Sequence, residues 1–346
     1  MRGVQRTTRQ SLGDKKNYQG LLRYARNDNP VIMKLSKRHQ AILALILINI
    51  IWGTTPPIFK WSLTDLPPFT LAFLRFFLGA LLILPFTIKH LSIQRKDIRK
   101  ILILALFGIF FNISFFFLGL QRAESINASI VGSGAPVFLI IASIFFLNEK
   151  PKRKVILGTL LSLAGVLLII VQPLLGHTPN HALLGNLLYL LSTFSFVMYT
   201  LLLKKYNLPY SALTLTFWVF LFSAVMFFPL FFGEARHQSI HLFSPRALVG
   251  IIFGAIGASA LGYSLLAFGM KYLKASEVGI FTYLNPIVTA LVAIPLLGET
   301  ITLPYVLGAV LVFGGIFLAE GKVYFHHHPS HPILINKEST LPKTLS

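Results

Sequence analysis

The chain has 346 residues, 55% of them hydrophobic and only 12% charged, with 31 Lys and Arg against 11 Asp and Glu for a net charge of +20. Soluble domains carry about 25% charged residues, so this composition excludes an ordinary soluble globular enzyme. With no Cys, disulfides, thiolate metal sites and cysteine nucleophiles are excluded as well.

The first stretch, MRGVQRTTRQSLGDKKNYQG, is polar and basic and lacks the apolar run of a signal peptide. Asp14 and Asp28 argue against an Arg-rich transit peptide. Met33 opens a short basic lead, MKLSKRHQ, directly into the first apolar run. Met33 is therefore read as the natural start, or else residues 1–40 form a disordered, basic cytoplasmic arm.

Ten apolar runs follow, each near the ~20 residues a helix needs to cross a bilayer. They are Ala41–Lys60, Phe69–Ile88, Ile101–Leu120, Ile126–Leu147, Val155–Val171, Ala182–Leu203, Ser211–Phe232, Ala247–Met270, Val278–Leu297 and Leu303–Ala319. Runs such as ILILALFGIFF are continuous and lack the alternation of outer-membrane strands. In lipid, backbone groups must pair internally, so continuous runs of this length predict helices. The expected fold is an all-α integral membrane protein with ten transmembrane helices.

Charge sets the expected orientation, because Lys and Arg favour the cytoplasmic side in short loops. The arm, the tail and the even-numbered loops together hold 26 Lys and Arg. The opposite side has only Lys60, Arg122, Arg236 and Arg246, while Arg75 lies inside a span. Both termini are thus expected in the cytoplasm, at an inner (plasma) membrane. The same distribution accounts for the basic composition without nucleic acid as a partner. The tail, residues 320–346, contains His326, His327, His328 and His331, read as solvated rather than as a metal site.

Two segments repeat. Gly119, Pro136, Leu147, Glu149, Gly158 and Gly165 recur 150 positions later as Gly269, Pro286, Leu297, Glu299, Gly308 and Gly315. Earlier, Lys60, Thr70, Leu71 and Pro85 recur 144 positions later as Lys204, Thr214, Leu215 and Pro229. The first repeat runs over residues 41–171 and the second over 182–319. Each holds five spans, an odd number, so the copies cross the membrane in opposite senses. Inverted repeats characterise secondary transporters, which bind substrate near the midplane between the halves.

WGTTPPIFKW (Trp52–Trp61), LPPFTLAFLRF (Leu66–Phe76), GLQRAESINASIVGSGAPVFLIIASIFFLNEK (Gly119–Lys150) and its second copy GMKYLKASEVGIFTYLNPIVTALVAIPLLGETIT resemble the drug/metabolite transporter superfamily, EamA type. The resemblance covers about residues 40–320. It implies ten helices, both termini inside, and export or exchange of small metabolites. LNEK departs from the family's usual Gly before Glu, which Gly298-Glu299 keeps.

Pro136 and Pro286 fall near the middle of the fourth and ninth spans. Each removes an N–H and frees a carbonyl that only protein or a watery cavity can satisfy. Ser129, Ser133 and Pro136 share a helical face, with Gly279, Tyr283 and Pro286 as repeat counterparts and Asn285 beside them. Asn49, Trp52, Gly53, Pro56 and Lys60 line one face of the first span, and Ser192, Ser195 and Tyr199 one face of the sixth. Asn112, Ser259, Tyr263 and Ser264 add polar and aromatic groups. Arg75 is the only cation well inside a span, able to hold a carboxylate or phosphate or to snorkel outward. The expected substrate-binding lining is Trp52, Arg75, Asn112, Ser133, Pro136, Tyr199, Tyr263, Tyr283, Asn285 and Pro286. Gly250, Gly254 and the glycines of the fifth and tenth spans are read as helix-packing positions that also allow a homodimer.

No HExxH, P-loop or acidic metal cluster is present, so no catalytic residue, metal or cofactor is expected. The expected partners are a small-molecule substrate and membrane lipid. The expected function is a secondary transporter of small polar metabolites such as amino acids, working by alternating access as an exporter. A broad-specificity drug exporter, a membrane-bound enzyme and a channel subunit remain open. With Asp65, Asp97, Glu124, Glu149, Glu277 and Glu299 all at span ends, coupling through a buried proton-binding carboxylate is not expected.

Overall fold

The computed structural model describes residues 36–147, 153–175, 180–237, 240–273 and 281–320. Residues 1–35 of the basic arm, the Met33 start among them, the His-rich tail, Glu149 and the first turn of the ninth predicted span lie outside the described residues, whereas Lys37–Gln40, the end of the expected arm, are already helical. Among the described residues eight helices are long and apolar enough to cross a membrane, and two shorter apolar helices, Leu284–Leu297 and Leu303–Ala319, bring the spans to ten.

In chain order the helices are α1 (Lys37–Ser62), α2 (Pro68–Thr87), α3 (Arg95–Leu120), α4 (Ser125–Ser133), α5 (Ala135–Leu147), α6 (Arg153–Leu175), α7 (Asn180–Tyr206), α8 (Ala212–His237), α9 (Pro245–Tyr272), α10 (Leu284–Leu297) and α11 (Leu303–Glu320). Helices α4 and α5 share the fourth span. Residues 36 and 320 lie at one end of the bundle, the proximal end, and the α1–α2 and α3–α4 connections lie at the other, the distal end. Large apolar side chains such as Leu157, Val310 and Phe317 stand exposed on the outside of the bundle. In water such a surface would drive aggregation; against lipid tails it is the required one.

The packing follows the repeat. Helix α1 packs against α9 and α10, and its repeat counterpart α7 packs against α3, α4 and α5. Helix α2 packs on its own counterpart α8, and α6 on its own counterpart α11. The inverted five-helix repeats therefore interlock rather than stand side by side. At the α6–α11 crossing the Ser162 hydroxyl donates to Val312 O at 2.9 Å. A Cβ added at Gly165 would lie 2.6 Å from Gly308 O. Small residues are what let two backbones approach this closely.

Two spans contain wider π turns, Leu106–Phe111 in α3 and Phe253–Leu261 in α9. These spans are repeat counterparts. Pro56 and Pro57 lie inside α1 without ending it. Pro57 leaves Gly53 O without its helical donor, and the Thr289 hydroxyl of α10 donates to it at 2.6 Å. A Cβ at Gly53 would meet Val288 Cβ at 2.7 Å, so glycine is what admits α10 to this point.

Three carboxylates bind the distal end together. Glu234, at the end of α8, accepts from Phe69 N (3.1 Å), Thr70 N (2.6 Å) and the Thr70 hydroxyl (2.8 Å), capping α2. Glu299 accepts from Ser125 N (2.7 Å), the Ser125 hydroxyl (2.9 Å) and Ile126 N (3.0 Å), capping α4. Free N–H groups and the helix dipole make both termini anion sites, and each carboxylate comes from the other repeat. Gly298, with φ +69°, ends α10 in the left-handed region and turns Glu299 onto its target. Lys60 Nζ then reaches Glu299 Oε1 and Ala123 O, both at 2.8 Å. Asp65 faces Arg246 at 3.5 Å. A hydrogen bond from Ser244 and the nearby guanidinium hold the Asp65 carboxyl below its usual range.

Glu124 sits beside this cluster, half-buried. Burial, and secondarily the Glu299 charge, push its carboxyl above the usual range, with Lys60 opposing. A raised carboxyl pKa in the folded state weakens the fold once pH exceeds the unfolded value, and the cost vanishes below that value. Glu124→Gln is therefore expected to raise the melting temperature of detergent-solubilised protein at pH 8 and leave it unchanged at pH 4. An equal rise at both pH values would show that the charge is not the cause.

Candidate functional site

The fourth span breaks at its middle. Helix α4 stops at Ser133, Gly134 N donates to Val131 O at 3.1 Å, and α5 begins at Ala135. Pro136 thus stands in the first turn of a new helix, where a missing N–H costs nothing. The ninth span repeats the arrangement: Asn285 N donates to Thr282 O at 3.1 Å, and α10 begins at Leu284. Pro136 and Pro286 are helix starters at two paired breaks, rather than kinks within continuous helices.

Between these breaks lies a cavity of about 600 Å³. Its walls come from both repeats: Trp52, Thr55, Pro56, Arg75, Asn112, Ile113, Phe116, Ala128, Ser129, Gly132, Ser133, Ala135, Pro136 and Leu139 from the first, and Tyr189, Ser192, Thr193, Phe196, Val197, Thr200, Tyr263, Thr282 and Asn285 from the second. The lining is mostly apolar with a few polar groups, the composition of a small-molecule pocket.

The structure brings seven of the ten expected lining residues to this cavity: Trp52, Arg75, Asn112, Ser133, Pro136, Tyr263 and Asn285. Trp52 Nε1 donates to Ala258 O at 3.1 Å, and its ring meets Tyr263 edge-on with centroids 5.8 Å apart. Asn112 Nδ2 donates to Ser192 O and Oγ at 2.8 and 3.0 Å, joining α3 to α7. The hydroxyls of Ser129 and Ser133 turn back to their own helix, on Ile126 O and Ser129 O. They spend their hydrogen bonds on local backbone.

Tyr199, Tyr283 and Pro286 lie elsewhere. Tyr199 fills the space beside Gly108, where a Cβ would come within 2.5 Å of its ring. Tyr283 packs edge-on against Phe313 at 5.7 Å, and Pro286 is buried within α10. On α7 the cavity face is Tyr189, Ser192, Thr193, Phe196 and Thr200, not the Ser192, Ser195 and Tyr199 face. From Ser192, steps of −3, +4 and +8 reach Tyr189, Phe196 and Thr200, whereas +3 and +7 reach Ser195 and Tyr199.

Arg75 does not snorkel. It is 4% exposed, its Nε donates to the Ser259 hydroxyl at 2.9 Å, and its guanidinium carbon lies 4.8 Å from the ring centres of both Phe59 and Phe76. Lys60 is occupied in the distal cluster instead of the cavity. Tyr189 separates the two places: its ring lines the cavity while its hydroxyl donates to Glu124 O at 3.2 Å.

If the breaks shape the cavity, Pro136→Ala and Pro286→Ala should let helix propagate across them. Transport is then expected to fall several-fold in proteoliposomes, with membrane insertion retained. Wild-type rates in both variants would separate the prolines from the cavity's working shape.

The EamA-like transporter family model matches residues 39–171 and 183–320. An "Uncharacterized transporter" of Archaeoglobus fulgidus is 27% identical over 292 residues, covering 83% of this chain and 98% of that protein. The "Uncharacterized transporter YetK" of Bacillus subtilis is 28% identical over 311 residues, covering 87% of this chain and 92% of its own. A solved crystal structure at 19% identity covers 81% of this chain and 96% of its own with a TM-score of 0.56, a likeness of fold. With the family model matched across both repeats, the chain belongs to the EamA-like transporter family.

Proposed function

We propose that the protein is a secondary transporter that moves small polar metabolites, amino acids or related compounds, across the inner membrane by alternating access. It works as an exporter with both termini in the cytoplasm. The observation that carries this reading is the cavity walled by both repeats at paired helix breaks. Discontinuous helices at a repeat interface are where secondary transporters hold substrate. The interlocked, inverted arrangement supports two symmetry-related ways of opening that cavity. The 26-to-4 division of cationic residues supports the orientation.

Counter-flow of labelled amino acids and organic acids in proteoliposomes tests the transport reading. Saturable exchange is expected; flux that never saturates would indicate a channel, and conversion of the solute an enzyme. Orientation is tested separately in a chain with no native cysteine. Lys152→Cys is expected to label only from the cytoplasm and His177→Cys only from outside. Labelling of both from one side would remove the proposed topology.

A further inference from the structure

Arg75 carries a charge that no carboxylate among the described residues neutralises. Its Nε edge is held by Ser259, and the terminal Nη1 has no hydrogen-bond partner among the described residues. No Asp or Glu lines the cavity, and no ion pair to Arg75 occurs among the described residues. A buried cation in a membrane protein requires an anion or a well-matched set of acceptors. Here the side chain has one hydrogen-bonded hydroxyl, the faces of Phe59 and Phe76, and the neutral Tyr263 phenol nearby. Asn285, which also lines the cavity, buries a second unused polar atom: its Oδ1, an acceptor with no donor among the described residues.

We propose that Arg75 is the anchor for the carboxylate of a monoanionic head group, so that the solute itself completes the buried ion pair. This rests on the reading of the cavity as the transport site. The free Nη edge of a guanidinium, with its planar fork, matches a carboxylate in two-point geometry. Charge balance selects among anions. One guanidinium compensates one negative charge, so a phosphate dianion would leave a surplus charge against a mostly apolar lining, whereas a carboxylate leaves none. Asn285 Oδ1 takes a donor on the solute, a hydroxyl or an amino group. The apolar remainder of the solute meets Trp52, Phe116, Phe196 and Tyr263.

The aromatic walls alone would also suit an organic cation. The fixed positive charge of Arg75 decides against one, because a guanidinium only 4% exposed is weakly screened and repels a like charge brought against it. Cationic drugs are therefore outside the range of this site, which separates the metabolite reading from the broad drug-exporter reading.

The test uses four probes on the purified full-length chain: 3-phenylpropanoate, its neutral amide, 3-phenylpropylamine and inorganic phosphate. Ligand-dependent thermal stabilisation and counter-flow in proteoliposomes are read in parallel. Stabilisation by the carboxylate alone is expected, with binding weakened at least about 30-fold in Arg75→Gln, the usual scale for truncating one partner of a buried charge pair. Arg75→Lys keeps the buried charge but loses the fork, and is expected to bind the carboxylate weakly and the amide not at all. If neither variant folds, the four-probe comparison on the native chain still decides. An equal response to the amide, the amine or phosphate, no response to the carboxylate, or full carboxylate binding by Arg75→Gln would each overturn the proposal. Arg75-dependent binding without counter-flow would leave the anion site standing and remove the transport reading; counter-flow of the amine instead would do the reverse.

Discussion

Replacing Glu299 by Ala is expected to destabilise the protein by about 3 kcal/mol or more, the scale for stripping one partner from a buried charged group. The Glu299 side chain is 5% exposed, and its two oxygens serve Lys60, Ser125 and the N-terminus of α4. Its loss leaves two buried N–H groups without acceptors and Lys60 with only Ala123 O. Glu299→Gln keeps an acceptor and loses the charge, so an intermediate loss is expected. The diagnostic comparison is a double variant. Lys60→Met in the Glu299→Ala background removes the stranded charge and should recover part of the loss. Thermal unfolding in detergent reads all three variants; wild-type melting of Glu299→Ala would deny the cluster its structural role.

The second large effect is expected at the α6–α11 crossing. A Cβ on Gly165 would stand 2.6 Å from Gly308 O and 2.8 Å from Val312 N. Those atoms are backbone and have no rotamer through which to yield. Gly165→Ala should cost about 1–3 kcal/mol by forcing the helices apart, and Gly165→Val more. Gly314 supplies the control on the same pair of helices, because the nearest atom to its added Cβ is Leu161 Cδ2 at 3.9 Å. Gly314→Ala should be neutral or gain up to about 1 kcal/mol from helix propensity. Equal effects at the two positions would mean that propensity, not close approach, governs this interface.

How much of this was legible before any coordinates depended on the range of the interaction. The spans were legible because lipid enforces a long, uninterrupted apolar signal. The repeat was legible because Pro, Glu and Gly recur at a fixed distance in otherwise interchangeable apolar sequence. The prolines located the cavity, yet their role differed. An uninterrupted apolar run reads as one continuous helix, and the break at Gly134 moves Pro136 into a first turn. In the ninth span the turn before Leu284 brings Thr282 and the expected Asn285 to the cavity, while Tyr283 and Pro286 face other helices. On α7 a shift of one residue, from Ser195 and Tyr199 to Phe196 and Thr200, selects a different face, and both faces carry hydroxyls, so polarity alone does not choose between them.

Arg75 and Lys60 show a second limit. Lys60 ends its span while Arg75 lies inside one, yet both are cations toward the distal side, and the sequence shows neither one's partner. Glu299 lies 239 positions from Lys60 and holds it in the clasp, while Ser259, 184 positions from Arg75, takes one edge of the guanidinium and leaves the rest free. The π turns in α3 and α9 are likewise set by packing between spans and have no marker in the apolar sequence that forms them.

The three tryptophans are all placed where one repeat touches the other. The Trp52 indole donates to Ala258 O beside the central cavity, Arg246 lies over Trp61 at the distal rim with 5.7 Å to the ring centre, and Trp218 donates to Leu91 O at 3.0 Å near the proximal rim. Each contact joins a residue of the first repeat to one of the second. Indole emission responds to hydrogen bonding and to a neighbouring charge, so the unmodified chain carries three optical reporters at three depths. Single Trp→Phe replacements would assign each signal to its depth. The order in which the signals change as solute binds would then show which rim parts first, without a dye or an introduced label.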